Sequence, residues 1–220
     1  MSLSCLAPHW FSGYDIALES FFAIISLAVA LFAIKAYRST NQKQTRLFAA
    51  SFTFIALSYA AQALFNFLAI SEATESPCSV IELRSAIVLD TLGVLTSISL
   101  MTIGLSILTY MTLKTERKRT LWLILLISFL ALWMSRNTLS TYFIMSSTYL
   151  AVIAWHFIDN YRKHKNSKTL TVALAFTFLL IGNAHMIFSS NNTTFYALSH
   201  ILHFAAYALI LWNFYLVLKK

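Results

Sequence analysis

Residues 30–60 read ALFAIKAYRSTNQKQTRLFAASFTFIALSYA, and residues 154–184 read AWHFIDNYRKHKNSKTLTVALAFTFLLIGNA. The stretches are related by a shift of 124 positions, at which ten of 31 paired residues are identical. An apolar-biased composition gives roughly three identities by chance. Each copy has an apolar segment, a Tyr-Arg pair, a basic turn and a second apolar segment containing Phe-Thr-Phe. The pattern predicts an internal repeat. The identical pairs are Ala30/Ala154, Ile34/Ile158, Tyr37/Tyr161, Arg38/Arg162, Thr45/Thr169, Ala49/Ala173, Phe52/Phe176, Thr53/Thr177, Phe54/Phe178 and Ala60/Ala184.

The composition is that of a membrane protein. Of the 220 residues, 59% are apolar and 11% are charged. Soluble domains carry about a quarter charged residues and cannot bury this much apolar surface. Apolar runs of about 20 residues are the length that crosses a bilayer as a helix. We therefore predict an all-α polytopic membrane protein with a single seven-helix domain over residues 1–220. The predicted spans are 15–37, 46–70, 85–113, 120–135, 139–160, 169–189 and 194–218.

The predicted spans form two triplets separated by one unmatched helix. The segment Leu108–Lys114 echoes Asn213–Lys219, which extends the repeat to halves 15–114 and 139–219. A three-helix unit ends on the opposite side of the membrane from where it began. The unmatched span 120–135 lets the second half enter in the same orientation as the first, so the repeats are predicted to be parallel.

The positions of the basic residues predict the orientation. Fourteen of the sixteen follow the first, third, fifth and seventh spans, and only Arg84 and Arg136 lie on the other side. This positive-inside pattern predicts an outer N-terminus and a cytoplasmic C-terminus, in a plasma or cell membrane. The basic turns are expected to meet the anionic headgroups of the cytoplasmic leaflet. A nucleic-acid partner is not expected, because no basic patch is interleaved with stacking aromatics.

The predicted outer segments contain two modification motifs. Cys5 and Cys78 are the only cysteines, and both are predicted to lie on the oxidising side, where they form either a disulfide with each other or two free thiols. Overlapping Asn-x-Thr sequons at Asn191 and Asn192 predict glycosylation in a host with the machinery.

Polar residues gather in the outer halves of several predicted spans. Such residues inside a membrane are costly and indicate a functional pocket, although helix packing and interfacial placement explain them as well. The residues that we expect to line a ligand pocket are Glu19, Gln62, Asn66, Asp90, Asn183, His185, His200 and His203.

Three of these residues are histidines at similar depth on the last two spans. His200 and His203 are one turn apart on one helix face, and a short hairpin brings the helix of His185 alongside. With Asp90 or Glu19, the three histidines provide a four-coordinate set of the kind that binds zinc. Haem ligation, a proton-responsive polar pocket and hydrogen bonding between helices are the alternatives.

The arrangement of three, one and three helices resembles the SWEET and PQ-loop transporters, and the seven-helix layout is similar to that of opsins. The first resemblance implies solute transport. The second does not extend to retinal, because the last span has no lysine before Lys219 for a Schiff base. The His and Asp residues are also similar to those of alkaline ceramidases and progestin/adiponectin receptors. Those proteins have a span-two histidine and an HxxxH, whereas this chain has HxxH at 200–203, so no catalytic role is transferred.

Three functions are compatible with the sequence. We expect a non-catalytic protein that binds or senses a small ligand or ion, with a cytoplasmic signalling partner or a homo-oligomer to relay the signal. A small-solute transporter is one alternative, and a metal-dependent membrane hydrolase that uses the histidine cluster is the other.

Overall fold

In a computed structural model the described part of the chain forms seven α-helices, as the apolar runs predict. The structure describes residues 14–75, 80–113, 115, 117–189 and 193–218. Each helix begins and ends within about five residues of its predicted span, because most helices extend past the apolar run into polar flanks. The helices are α1 (Tyr14–Thr40), α2 (Lys43–Glu75), α3 (Val80–Thr112), α4 (Lys118–Met134), α5 (Thr138–His164), α6 (Ser167–Phe188) and α7 (Thr193–Leu218).

Six of the helices are long and apolar enough to cross a membrane, and the protein is therefore a helical membrane protein. The remaining helix, α4, has 17 residues, which corresponds to about 25 Å of helix against the ~30 Å of a bilayer core. Its surface is as apolar as a membrane helix requires: Trp122 is 70% exposed and Trp133 is 89% exposed. In water such a surface would mark an interaction site or aggregate.

The helices follow one another around a ring in chain order. Each of α1, α2 and α3 packs against the next, α3 packs against α5, and α5, α6 and α7 again pack in order. The ring closes where α7 contacts α1, while α4 packs against α3 and α5. A cluster of buried residues, among them Phe22, Phe52, Leu108, Ile153 and Phe176, occupies the centre of the bundle.

The two basic turns that the sequence predicts to be related by a repeat have the same backbone conformation. In the described part of the chain, two non-glycine residues have a positive φ: Asn41 at 52° and Lys165 at 45°. They are 124 positions apart. The N–H of Asn41 donates to the carbonyl of Tyr37, and that of Lys165 to the carbonyl of Tyr161, each at 2.7 Å. In both turns a left-handed residue ends the helix by binding one of its last free carbonyls.

The helices that follow the two turns also match in local structure. Thr53 donates its hydroxyl to the carbonyl of Ala49 at 2.9 Å, and Thr177 donates to Ala173 at 2.8 Å. Phe52 and Phe176, which are likewise 124 positions apart, are both buried. The 124-residue shift thus relates positions with the same burial and the same hydrogen bond. We refer below to the end of the bundle that carries the two basic turns as the basic end.

Candidate ligand cavity

A cavity of about 120 Å³ lies inside the ring of helices. It is lined by α1, α2, α3, α5, α6 and α7. On α2 its lining runs from Phe52 to Gln62, ten residues or about 15 Å of helix. The other lining residues are Glu19, Ile55, Tyr59, Ser97, Ile98, Met101, Leu105, Leu139, Tyr142, Phe143, Leu150, Phe176, Leu179, Asn183, Met186, Tyr196, His200, His203 and Tyr207.

The chemistry of the lining changes along the bundle. Toward the basic end the wall consists of apolar side chains, and toward the opposite end it contains a carboxylate, amides, a hydroxyl and an imidazole. We call the second region the polar end of the cavity. This mixture of a largely apolar wall with a few placed polar groups is typical of small-molecule sites. The apolar residues are Phe52, Leu105, Leu150 and Phe176, and the polar residues are Glu19, Gln62, Ser97, Asn183 and His200.

A series of hydrogen-bonded side chains connects α1 to α2 at the polar end of the cavity. The amide of Asn66 donates to the carboxylate of Glu19, with 3.0 Å between Nδ2 and Oε2. Gln62 in turn donates to Oδ1 of Asn66 at 3.3 Å. Gln62 and Asn66 are four residues apart, so they lie on one face of α2. Glu19 is only 6% exposed, and the amide chain satisfies part of its hydrogen-bonding capacity within the protein.

Asn183 forms a second network between α6 and α5. Its Nδ2 lies 3.0 Å from the carbonyl oxygen of Phe143 and 2.8 Å from the hydroxyl oxygens of both Ser146 and Ser147. The two hydrogens of the amide are therefore shared among three acceptors. The small serines of α5, which from sequence alone look like ordinary packing residues, hold the Asn183 side chain at the cavity wall.

The two histidines of α7 lie on its inward face. His200 and His203 both line the cavity, and their ring centroids are 6.4 Å apart. His200 also contacts the ring of Tyr196 at 4.6 Å. Gly182 permits the close approach of α6 to α7. A Cβ at this position would lie 2.9 Å from Cδ2 of His203, which is too close for a van der Waals contact. The hydroxyl of Ser199 donates to the Gly182 carbonyl at 2.7 Å and fixes the same contact.

Four tyrosines complete the wall, and none of them is among the pocket residues predicted from the sequence. The ring centroids of Tyr59 and Tyr207 are 5.8 Å apart in an edge-to-face arrangement. Tyr196 and Tyr207 stand four residues before His200 and four after His203, so helical spacing places all of them on one face of α7. The remaining two, Tyr59 and Tyr142, line the cavity from α2 and α5.

His185 does not join the other two histidines. Its Nδ1 lies 2.7 Å from the carbonyl oxygen of Ile181 in its own helix, and its ring packs against Phe195. The physical reason is the helical angle: at ~100° per residue, His185 points about 200° away from Asn183, which faces the cavity. Among the described residues no group of three or more His, Cys, Asp or Glu side chains could hold a metal ion. The zinc set expected from sequence is therefore not assembled in this part of the chain.

Several predicted residues lie outside what the structure describes. Asp90 belongs to α3, but its side chain is outside the described part. Cys5, Cys78, Asn191 and Asn192 fall in segments outside the described residues, so the disulfide and the glycosylation sites stay predictions.

Comparison of the chain with models of known protein families, with curated proteins and with solved structures finds no match.

Proposed function

We propose that this protein binds a small ligand in the cavity without chemically transforming it, as a receptor or sensor in a cell membrane. The observation that carries the proposal is a cavity lined by six helices with its polar groups gathered at one end. Burying the carboxylate of Glu19, the amides of Gln62 and Asn183 and the imidazole of His200 inside a membrane bundle is costly, and a bound ligand is a reason to keep them there.

The size of the cavity limits the ligand to a small molecule. At about 120 Å³ it is slightly smaller than the ~150 Å³ engineered cavity that accommodates benzene. A ligand of roughly five or six non-hydrogen atoms fits such a volume. A molecule of this size with one polar group and one apolar side would match the two ends of the cavity.

The topology that we propose has seven spans, an outer N-terminus and a cytoplasmic C-terminus. The path of α4 supports the seventh span. It leaves the basic end after α3, and near its other end Leu132 packs against Val94 and Ile98 in the opposite half of α3. A hydrogen bond between the hydroxyls of Ser128 and Tyr149 anchors its middle to α5. With the basic end in the cytoplasm, the polar end of the cavity faces outward.

The shared geometry of the Asn41 and Lys165 turns supports a parallel repeat. In this arrangement α1–α3 and α5–α7 are equivalent halves. The cavity lies between them, and related positions such as Phe52 and Phe176 line it from both sides.

Binding is favoured over transport by what lies between the cavity and the basic end. A second, more open space of about 400 Å³ is lined by Gln42, Lys43 and Tyr110 among others at that end. Toward the basic end the cavity is bounded by Phe52, Leu105 and Phe176, which belong to the central apolar cluster. This apolar boundary favours a ligand that stays in the cavity, with a signal passing inward through the helices to a partner or a second subunit.

Ligand binding is tested by thermal unfolding of the purified protein with three tetrahedral molecules of similar size: tetramethylammonium, tert-butanol and methanesulfonate. We expect at least one to raise the unfolding temperature in a concentration-dependent way. Ile98→Phe, which fills the cavity, should abolish the shift, whereas the matched change Ile144→Phe on the exposed side of α5 should keep it. If none of the three raises the temperature, or if Ile98→Phe keeps the shift, the proposed binding site is wrong.

The topology is tested separately by labelling single cysteines in intact cells with a membrane-impermeant maleimide. A cysteine in place of Asn137 should react from outside, and one in place of Asn166 should react only after the cells are opened. The reverse pattern would overturn the proposed orientation. Labelling of both positions from outside would exclude an odd number of spans between them.

A further inference from the structure

The charge of the cavity wall points to a class of ligand. Glu19 is a buried carboxylate at the polar end, and none of the described lining residues is a lysine or an arginine. Histidines 200 and 203 carry no fixed charge. The amide of Asn66 holds the Glu19 side chain from the α2 side, so one carboxylate oxygen has a defined position. A positive group in the cavity would be attracted to this oxygen in surroundings where such attractions are weakly screened.

The aromatic residues of the wall support the same polarity. Four tyrosines and three phenylalanines line a space of about 120 Å³. Ring faces carry a negative electrostatic potential and attract cations, most of all when water is excluded. Several of these rings are held in place by other rings: Phe22 stacks on Tyr207 at 4.8 Å and meets Tyr59 edge-to-face at 5.4 Å. The wall is therefore preorganised, with little ordering left for a ligand to impose.

The remaining polar groups are compatible with a cation. The hydroxyl and carbonyl oxygens of Ser97 and Asn183 accept hydrogen bonds from an N–H group, and the carboxylate of Glu19 accepts charge-assisted ones. A bare metal ion fits less well, because oxygen ligands at one end face a largely apolar wall. An organic cation presents methyl or methylene groups to that wall and its charge to Glu19.

From this geometry we propose that the ligand is a small organic ammonium ion held between the Glu19 carboxylate and the tyrosine-lined wall. This inference rests on the proposed function, because it names the class of ligand for the same cavity. It differs from that proposal in one measurable respect, the sign of the ligand's charge.

The test compares the three tetrahedral probes directly. Radiolabelled tetramethylammonium should bind to the wild-type protein, with tert-butanol and methanesulfonate at least about tenfold weaker as competitors. Glu19→Gln, which keeps the shape and an oxygen for Asn66 but removes the charge and its Coulomb attraction, should weaken tetramethylammonium binding by about tenfold or more. Asp159→Asn is the matched control, because Asp159 is half-exposed and pairs with Lys163 near the basic end. It should leave binding unchanged.

Each outcome separates the two proposals. Equal or stronger binding of tert-butanol, blocked by Ile98→Phe, would overturn the ammonium inference and leave the cavity as a binding site. Preferential binding of methanesulfonate would overturn it as well. If no probe binds, both proposals fail. The comparison among probes on the wild-type protein decides the question even if Glu19→Gln does not fold.

Discussion

The side-chain amide of Asn66 donates a 3.0 Å hydrogen bond to the carboxylate of Glu19 and joins α2 to α1 at the polar end of the cavity. Asn66→Ala removes this donor from a buried carboxylate, and we expect the free energy of unfolding to fall by about 1–3 kcal/mol. Ser99→Ala, which removes an exposed hydroxyl bonded to Leu95 of its own helix, should change it by less than about 0.5 kcal/mol. Thermal unfolding in detergent measures both. A loss no larger than that of Ser99→Ala would contradict the structural role of the Asn66–Glu19 bond.

Asn183 must donate, and an isosteric acid cannot replace it. In Asn183→Asp a carboxylate oxygen would face the carbonyl of Phe143 at the 3.0 Å where the amide now donates. We expect a loss of about 2–4 kcal/mol, because a donor is replaced by a buried acceptor. The same exchange at Asn166 is the control. Its side chain accepts from the N–H of Lys168 at the start of α6, and aspartate caps a helix equally well.

In Asn166→Asp the unfolding free energy should therefore stay within about 0.5 kcal/mol of the wild type. Equal effects of the two exchanges would mean that the Asn183 amide does not donate as described.

Glycine should stabilise the protein at both left-handed positions of the basic turns, but by different amounts. Lys165 has φ of 45° and Asn41 has φ of 52°. Asparagine tolerates this conformation better than lysine does. Lys165→Gly should raise the unfolding free energy by about 1 kcal/mol, and Asn41→Gly by a smaller amount. A larger gain at Asn41 than at Lys165 would be inconsistent with the proposed conformations.

Two fully buried serines should respond in opposite ways to the loss of their hydroxyl groups. Ser58 donates to the Ser97 carbonyl at 2.9 Å and connects α2 to α3. The Ser106 hydroxyl has no hydrogen-bond partner within the described residues. Ser58→Ala should cost about 1 kcal/mol, whereas Ser106→Ala should be neutral or stabilising by up to about 1 kcal/mol. The comparison is made by thermal unfolding, and destabilisation by Ser106→Ala would reveal a partner for its hydroxyl, such as a bound water.

The helices were predictable from sequence because a membrane leaves few alternatives to long apolar helices. The predicted spans differ from the observed helices mainly at their ends, where polar residues such as Lys43 and Glu75 continue the helix beyond the apolar run. Hydropathy identifies the apolar residues that lie in the bilayer core, and it therefore does not detect polar turns that continue a helix beyond the core.

The cavity was predictable only in part. The sequence drew attention to Glu19, Gln62, Asn183, His200 and His203, which line the cavity, because polar residues are conspicuous in apolar helices. The sequence did not distinguish these residues from His185. The hydropathy pattern indicates how deep a side chain lies in the membrane, but not which way it points around the helix axis. The tyrosines were not predicted because, in a chain with 15% aromatic residues, a tyrosine that lines a cavity cannot be distinguished by composition from one that packs between helices. Helical spacing does identify two of them: Tyr59 lies three residues before Gln62 and Tyr207 four residues after His203, so each shares a helix face with a predicted pocket residue.

Two pairs of cavity-lining positions that are 124 residues apart differ in chemistry, unlike Phe52 and Phe176. Gln62 of α2 corresponds to Met186 of α6, and Glu19 of α1 corresponds to Phe143 of α5. A dimer of identical halves would present two carboxylates and admit a ligand equally well in two directions. In this chain Glu19 provides a negative charge, whereas the position 124 residues later holds the apolar ring of Phe143. An unsymmetrical amine of the class proposed above would therefore bind in one direction, with its nitrogen toward Glu19 and its apolar tail away from that carboxylate.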